Sequence, residues 1–540
     1  MNRYPRLKKN KIARALWLGI CCVAMDCRSE TAPGNPPESV EEPRFDIFEF
    51  QVDGNSVLPV RDIEKTVYPF LGPAKTLADV EKAQAALEKV YQDAGYPTVR
   101  VDIPEQKVED RVVHLQVVEA KVERTRITGS RYFSLGQIRA GVPALAQGAV
   151  PHLPTVQKQL EELNKASGDR TVTPIARAGN TPGTTEWELK VDDKLPLHGS
   201  VEVNSRNTPG TTYTRLTASI RYDNLWQRFH SASFQFQTSP ENSDEVQVYA
   251  GTYVMPWFDT GWRLATYIVG TNSANAVAVL GGSTILGNGQ IVGLRAVRPL
   301  PDGGDYFHTL SVGLDYKNFG QDLFSPVRTD STPVEYVPFT ARYDLTLKHS
   351  PEALTTFGLE GNVLFRGMGN DEAQFGRKRL GSRTNYAYFG ADLEHRHSLP
   401  FDTRLIGRMS GQIADGRLIS NEQFTAGGIR SVRGYHEVEV LGDDGLNGSL
   451  EFYSPSLTPA SWDFADDLRA IVFADAARVW VIEPLNDQPD HYDLASAGVG
   501  TKWQFWKHLN GEVYWSYPFT RTQYVNPGNQ RIDFRIAMEF

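Results

Sequence analysis

Between residues 197 and 540, apolar and polar side chains alternate with a period of two. Sixteen such segments of 8–14 residues occur, and no convincing helix interrupts them. The segments are centred near residues 202, 217, 234, 250, 266, 294, 312, 341, 360, 391, 408, 451, 473, 500, 515 and 535. Alternation of this kind puts successive side chains on opposite faces of a β-strand. The pattern predicts sixteen strands of about ten residues, which is long enough to cross a bilayer when the strand is tilted.

The connections between these segments alternate between short and long. The short ones include 256–260, 299–304 and 350–353, and the long ones include 271–289, 318–332, 367–383 and 415–446. Aromatic residues lie near the segment ends: Tyr222, Trp226, Trp257, Trp262, Tyr316, Trp503, Trp506, Trp515 and Tyr517. Short turns, long loops and aromatic girdles are typical of outer-membrane barrels. We therefore predict a 16-stranded antiparallel transmembrane β-barrel over residues 197–540, with a soluble all-β protein as the alternative.

Residues 44–195 follow a different pattern, in which short alternating segments flank segments with helical spacing. Residues 44–122 predict the order β-α-α-β-β, and Thr76, three residues before Asp79, marks the start of the longer helix. The same order recurs over residues 123–195, where Ser134 caps a short helix and Thr155 leads a longer one. A repeat of roughly 75 residues indicates two copies of one α+β module. Two unrelated α+β domains are the alternative.

The first 43 residues have the composition of a targeting segment and a linker. Residues 1–24 hold six basic residues, no acidic residue and a short apolar run, which predicts a secretory signal peptide. Residues 25–43 contain four prolines and predict a linker. All three cysteines lie here: Cys21, Cys22 and Cys27. Because at least two of them would leave with the signal peptide, the remainder is expected to fold without a disulfide.

Composition excludes several classes of protein. The mean hydropathy is −0.38 and no run of 18 apolar residues occurs, which excludes a helical membrane protein. The net charge is −9, and without the six positive charges of residues 1–24 it is −15, which argues against nucleic acid as a partner. No catalytic, nucleotide-binding or cysteine motif is recognisable, so we predict no enzyme, no cofactor and no metal. His395 and His397 are close in sequence but lack a third ligand.

The longest connection, 415–446, is the sixth long one and carries a glycine- and arginine-rich motif. It contains the run GGIRSVRGY over residues 427–435, which ends in Val432, Arg433, Gly434 and Tyr435. The segments GSLEF (448–452) and VFADAA (472–477) follow. Together these motifs resemble the outer-membrane transporters of two-partner secretion, the TpsB family, whose superfamily includes the barrel-assembly insertase. The resemblance covers residues 44–540, as two POTRA domains (44–122 and 123–195) followed by a 16-stranded barrel.

The resemblance implies that the sixth loop folds back into the barrel lumen, where Arg433 pairs with Asp475 on the inner wall. An arginine suits this role because its planar fork stays charged and makes bidentate bonds. Period two puts Phe473 and Asp475 on one strand face, which we expect to be the inner face because a carboxylate is costly in lipid. Gly434 permits a turn that a Cβ would hinder. A solvated loop arginine and an ordinary lumen-facing acid are the simpler alternatives.

The resemblance also implies a function and partners. The POTRA domains would capture a large, unfolded secreted exoprotein (TpsA-like), which adds a strand to a domain edge and then passes through the barrel. The other implied partners are outer-membrane lipid and the barrel assembly machinery, for which Phe540, at the end of the closing strand, would be the assembly signal. A barrel-assembly insertase and a passive porin are the alternative functions. The cargo could be an adhesin, a cytolysin or a contact-dependent toxin.

Two features depart from the family pattern. Ala477 stands two residues after the motif aspartate, where the family usually has glycine. Many members carry an N-terminal helix that fills the barrel, whereas the proline-rich residues 28–43 are poor helix formers. We therefore do not expect a plug helix from this segment.

Overall fold

The structure is a computed structural model that describes residues 43–108, 110–257, 260–271, 277–280, 283–286, 288–320, 333–368, 371–459 and 461–540. The predicted signal peptide and the predicted linker up to residue 42, where a plug helix was not expected, lie outside these residues. Within them, no helix is long and apolar enough to cross a membrane.

The first module is built from short strands and two α-helices. Its elements are β1 (Phe45–Ile47), β2 (Glu49–Asp53), α1 (Val60–Val67), a 3-10 helix (Tyr68–Phe70), β3 (Gly72–Lys75), α2 (Leu77–Asp93), β4 (Arg100–Asp102) and β5 (Val112–Val118). A three-stranded sheet has the order β2-β5-β4 and β1 pairs with β3. The helix α2 starts where the Thr76 N–H donates to the Asp79 carboxylate at 3.1 Å. Its buried Val80, Ala83 and Leu87 recur at helical spacing.

The second module repeats this order. Its elements are β6 (Lys121–Thr128), α3 (Leu135–Ala140), a 3-10 helix (Pro143–Leu145), α4 (Leu153–Lys165), β7 (Arg170–Ala178) and β8 (Thr184–Asp193). Within the described residues, the second module has no counterpart of the β1–β3 pair, but its three-stranded sheet has the order β6-β8-β7, so that in both three-stranded sheets the last strand of the module lies in the middle. Ser134 caps α3 by accepting from the Gln137 N–H at 3.3 Å. The helix α4 begins two residues before Thr155, because Pro154 is favoured in a first helical turn.

The remaining residues form the barrel and its loops. The strands are β9 (Leu197–Asn204), β10 (Arg215–Leu225), β11 (His230–Thr238), β12 (Gln247–Trp257), β13 (Trp262–Thr271), β14 (Val277–Leu280), β15 (Ser283–Leu286), β16 (Gly289–Pro299), β17 (Tyr306–Phe319), β18 (Val334–Tyr336), β19 (Phe339–Lys348), β20 (Ala353–Leu364), β21 (Tyr386–Leu399), β22 (Thr403–Ala414), β23 (Phe424–Ala426), β24 (Val440–Gly442), β25 (Asp444–Tyr453), β26 (Ala465–Trp480), β27 (His491–Phe505), β28 (Leu509–Pro518) and β29 (Arg531–Glu539). Short 3-10 helices lie at Pro400–Asp402 and Ser420–Glu422.

Sixteen long antiparallel strands close into a barrel. The short strands β14 and β15 pair with each other, and so do β23 and β24, as two separate two-stranded sheets, whereas β18 adds three residues to the edge of β17. Every predicted segment centre falls within one of the sixteen long strands, so the predicted barrel is confirmed. The strand β29 pairs with β9 to complete the ring. Along β29, Ile532, Ile536 and Met538 are exposed on the outer face while Asp533 is buried on the inner face, as a lipid-facing band requires.

The sequence predicted no helix after residue 197, and this prediction was wrong for one loop. The helix α5 (Glu372–Lys378) lies between β20 and β21. Asp371 caps it by accepting from the Ala373 N–H at 2.9 Å, and Phe375 is fully buried. A helix of two turns with one buried anchor has too little periodicity to be recognised in the sequence.

The second module contacts the turn between β10 and β11, at the barrel end that carries the short turns. The side chains of Asn224 and Gln227 donate to the Tyr132 carbonyl at 3.3 and 3.0 Å. The guanidinium of Arg170 is 2% exposed and lies 4.9 and 5.2 Å from the ring centroids of Phe133 and Phe229. Phe229 thereby packs against the apolar core of the module. The module and the barrel therefore share a packed joint.

Candidate functional site

The sixth loop, residues 415–443 between β22 and β25, places Arg433 against the inner barrel wall. The Arg433 Nε and Nη2 donate to the two oxygens of Asp475, each at 2.7 Å, and the Arg433 backbone N–H donates to Asp475 Oδ2 at 3.0 Å. Both side chains are at most 3% exposed. Neighbouring Val472 is 57% exposed on the opposite strand face. The loop therefore lies in the lumen, and the charge pair is shielded from bulk water.

Further wall residues complete the surroundings of Arg433. Its Nη1 donates to Glu451 Oε1 at 2.7 Å and its Nη2 donates to Ser449 Oγ at 3.0 Å, both from β25. The guanidinium carbon lies 3.6 Å from the ring centroid of Phe473 and 4.8 Å from that of Tyr514. Planar stacking and fork-shaped hydrogen bonding are properties of arginine that lysine lacks. The pocket is therefore shaped for a guanidinium.

The charges around Arg433 belong to a wider network on the wall. Arg408 of β22 also donates to Glu451, at 2.9 Å, so two guanidinium groups face the carboxylates of Glu451 and Asp475. Arg408 donates in addition to Glu394 of β21, at 2.7 Å. Buried charges are tolerated when they are paired and hydrogen-bonded. Removing Arg433 would leave one negative charge without a partner at the wall.

The other three residues of the motif, Val432, Gly434 and Tyr435, attach the loop at the same place. Gly434 has a φ of +91°, and a Cβ there would lie 3.2 Å from the Ser516 Cβ. The Tyr435 hydroxyl lies 3.0 Å from the carbonyl oxygens of Ala495 and Thr520 and accepts from the Thr520 N–H at 3.1 Å. Val432 and Tyr435 are completely buried in an apolar cluster, which the methyl group of Ala477 also joins. The alanine at the family's glycine position is accommodated as a packing residue.

The base of the loop is held by anchors that the sequence interpretation did not include. Asp443 is fully buried and forms a bidentate pair with Arg379 of the preceding loop. It also accepts from the Leu418 and Ile482 backbone N–H groups, each at 2.8 Å. Several acids in one long loop were the available signal, but their partners are distant in sequence, so the sequence did not show which acid is buried.

A second buried acid, Glu422, connects the loop to strands β17 and β21 of the wall. It accepts from Lys317 Nζ at 2.7 Å and from the Tyr388 hydroxyl at 2.9 Å. Near the tip of the loop, Glu437 accepts from Arg206 Nε at 3.0 Å. The sixth loop is therefore attached at several places, and Arg433, Asp443, Glu422 and Glu437 are charged groups that take part.

An open cavity lies in the lumen on the short-turn side of Arg433. Its volume is about 480 Å³. Six basic and two acidic side chains line it: Lys348, Arg396, Arg404, Arg408, Arg469 and Lys502, with Glu352 and Asp467. Arg408 belongs both to this lining and to the charge set around Arg433. The loop therefore stands at the inner end of a polar, water-accessible entrance.

Phe540, the predicted assembly signal, lies at the seam of the barrel. Its N–H donates to the Gly199 carbonyl at 3.0 Å and its carbonyl accepts from the Gly199 N–H at 2.9 Å. A Cβ at Gly199 would lie 2.3 Å from the phenyl ring. The ring is 66% exposed and belongs to the outer, lipid-facing side of the barrel.

Comparison with known proteins gives the family. The model of the haemolysin secretion/activation protein ShlB/FhaC/HecB family matches residues 183–503, and that of the ShlB-type POTRA domain matches residues 45–120. The outer membrane transporter CdiB of Dickeya dadantii (strain 3937) is 21% identical over 552 residues, which cover 94% of this chain and 89% of that protein.

Two solved structures show the same fold. CdiB from Escherichia coli superimposes with a TM-score of 0.59 at 17% identity, over 94% of this chain and 93% of that chain. BamA from Haemophilus ducreyi lacking POTRA domains 1–3 gives a TM-score of 0.57 at 15% identity, over 92% and 100% of the two chains. The family match spans more than half of the chain and agrees with the barrel and the first module described above. The chain belongs to the ShlB/FhaC/HecB family of two-partner secretion transporters of the outer membrane, with its POTRA region in the periplasm.

Proposed function

We propose that this protein exports one large, unfolded partner exoprotein (TpsA-like) across the outer membrane through its own barrel. The observation that carries the proposal is the sixth loop, which is fixed in the lumen by Arg433 and Asp475 above an open polar entrance. A permanently empty pore would not need a loop attached in this way. The loop instead has the properties of a gate, which must be held at the wall until the partner engages it and must then leave the wall as the chain passes.

Capture of the partner is assigned to the two α+β modules. We treat residues 123–195 as a second POTRA domain because their sheet has the same strand order as the first module. Each three-stranded sheet has two edge strands, β2 and β4 in the first module and β6 and β7 in the second. An unfolded segment can add a strand to such an edge through main-chain hydrogen bonds. This binding mode accepts many sequences, as a transporter of a long chain requires.

Passage requires the loop to leave its position at the wall. Separating a buried, hydrogen-bonded charge from its partner costs about 3–5 kcal/mol. A partner segment that binds better when the loop is displaced can supply this energy, because a ligand shifts an equilibrium by its differential affinity. The sequence carries no recognisable nucleotide-binding motif, so we assign the direction of movement to folding of the partner outside the cell.

The experiment is to delete the gene, restore it on a plasmid, and measure the secreted proteins by mass spectrometry. We expect the loss of one large exoprotein from the medium and the cell surface, with recovery on complementation. A fall in many unrelated outer-membrane barrels would instead indicate a barrel-assembly insertase. An unchanged set of secreted proteins, together with reduced uptake of small solutes, would indicate a porin.

Assembly of the transporter itself involves two further partners. The outer face of the strands carries the apolar side chains that lipid requires. The position of Phe540 beside Gly199 at the closing seam supports its role as a signal for the barrel assembly machinery. Replacing Phe540 with serine should lower the amount of folded barrel in the membrane, as measured by heat-dependent migration on gels.

A further inference from the structure

Three side chains with metal-binding atoms meet where the second module joins the barrel. Asp169 precedes β7 of the module, whereas His198 and Asp223 belong to β9 and β10 of the barrel. His198 Nε2 lies 2.9 Å from Asp169 Oδ2 and 3.5 Å from Asp223 Oδ2. All three ligand atoms lie within 4.8 Å of one another. The joint therefore brings together one imidazole and two carboxylates from two parts of the chain.

We propose that Asp169, His198 and Asp223 bind a divalent cation of the Zn²⁺ class at this joint. Imidazole nitrogen and carboxylate oxygen are usual Zn²⁺ ligands at about 2.0–2.2 Å, which places the ligand atoms of a tetrahedral site roughly 3.3–3.5 Å apart. The separations from His198 are close to this range, so binding needs only small side-chain movements. Three protein ligands leave a fourth position for water.

The imidazole would present one nitrogen to the cation. His198 would bind through its Nε2 lone pair with its proton on Nδ1, so the cation would replace the present contacts between Nε2 and the two carboxylates.

Neighbouring groups hold the ligands in position. Ser231 Oγ donates to Asp223 Oδ1, and Arg221 Nε donates to Asp223 Oδ2 at 3.0 Å. The Asp169 side chain is only 9% exposed, and its own backbone carbonyl accepts from the Lys194 N–H at 2.8 Å. Outer contacts of this kind orient metal ligands and tune their affinity. Because Arg221 is itself a cation beside the site, it should weaken binding.

The site would connect the module to the first hairpin of the barrel. Two of its ligands lie on β9 and β10, and the turn that follows β10 contains Gln227 and Phe229, which contact the module. A cation bound to all three ligands would therefore stiffen a joint that is already packed. This role is independent of the proposed export of a partner, because it concerns only how the chain holds its own parts together.

The test is a calorimetric titration of the full chain in detergent with Zn²⁺ alone, after removal of metals with EDTA. We expect one Zn²⁺ to bind to the parent protein and its affinity to fall at least tenfold in His198→Gln and in Asp169→Asn. Arg221→Gln should bind more tightly than the parent protein. His308→Gln, which removes an imidazole from β17, is the matched control and should leave binding unchanged.

Hydrogen exchange gives a second readout, with heat-dependent migration on gels to show that each variant is folded. Added Zn²⁺ should slow amide exchange around residues 167–171 and 197–200 in the parent protein but not in His198→Gln. Equal Zn²⁺ binding by the parent protein and His198→Gln, or no binding by either, would overturn the proposal. Tight binding of Ca²⁺ without binding of Zn²⁺ would also overturn it, because a nitrogen ligand disfavours Ca²⁺.

Discussion

Arg433 illustrates how one side chain can make several contacts between a long loop and the barrel wall. Its fork meets Asp475 and Glu451, and its plane faces the rings of Phe473 and Tyr514. Arg408 joins Glu451 to a further carboxylate, that of Glu394, so these charges form one network. In the shielded lumen such a network is stable only while each charge keeps a partner. Residue identity, and not only charge, should therefore determine whether the loop stays in place.

Replacing Arg433 with lysine tests this point at the residue scale. Lysine keeps the charge, but it cannot make the bidentate bond to Asp475 and has no planar group to stack on the rings of Phe473 and Tyr514. The loss of one charge-assisted hydrogen bond is worth roughly 1.5–3 kcal/mol. We therefore expect secretion of the partner, measured by immunoblot of the medium, to fall at least about tenfold. Secretion equal to that of the parent protein would show that charge alone is sufficient.

Gly434 gives a second prediction at this scale. Alanine at a φ of +91° costs roughly 1–2 kcal/mol, and its Cβ would also press against Ser516. Gly434→Ala should therefore speed amide exchange over residues 430–436. Gly376→Ala is the control, because Gly376 lies in α5, where a Cβ would have no atom within 4 Å and where helices favour alanine. An unchanged exchange rate in Gly434→Ala would contradict the account of this turn.

The sequence predicted part of this site and missed the rest for a physical reason. Period two along β26 put Phe473 and Asp475 on one face, and the motif with its family resemblance directed attention to Arg433. The GSLEF segment was part of the resemblance, yet nothing in it indicated that Glu451 and Ser449 would accept from Arg433. Such contacts depend on how neighbouring strands are staggered, which a local pattern does not contain.

The sixth loop as an element depends on its base as much as on its tip. Asp443 joins the sixth loop to Arg379, which lies in the loop between β20 and β21. Through the Ile482 N–H it also joins the sixth loop to the loop between β26 and β27. Asp443→Asn should remove the charge that pairs with Arg379, at a cost of about 3–5 kcal/mol to the local structure. We expect faster amide exchange over residues 415–443 by mass spectrometry.

Asp490→Asn is the control for this prediction. The Asp490 side chain is 78% exposed and pairs with the neighbouring His491, and exposed pairs of this kind contribute little. Its exchange pattern should match that of the parent protein. If Asp443→Asn and Asp490→Asn behaved alike, the buried acid would not be an anchor.

Among the elements, strands were easier to predict than loop structure. A barrel strand has one face toward lipid and one toward the lumen, so alternation marks it along its whole length. The helix α5 was missed because Asp371 and Phe375 alone give too little periodicity. The sixth loop was predicted to end at residue 446, but β25 begins at Asp444, because strand pairing with Trp480 extends it. Strand ends depend on the neighbouring strand as well as on composition.

At the scale of the whole molecule, the proposed function gives the modules and the barrel separate roles. Deleting residues 44–195 removes both modules and leaves every barrel strand. We expect folded barrel in the membrane and no detectable secretion, measured by heat-dependent migration and by immunoblot of the medium. Secretion that continues after the deletion would favour the porin alternative, because a passive pore needs no capture modules.

The most direct test of the central claim is secretion by Arg433→Ala. We expect this variant to assemble a folded barrel, because its sixteen strands are unaltered, and to release no partner exoprotein, because the loop is no longer held where the partner engages it. Arg430→Ala, which removes an exposed arginine three residues earlier in the same loop, should assemble and secrete normally. Normal secretion by Arg433→Ala, with folded barrel at the parent level, would contradict the claim that the attachment of the sixth loop to Asp475 is needed for transport.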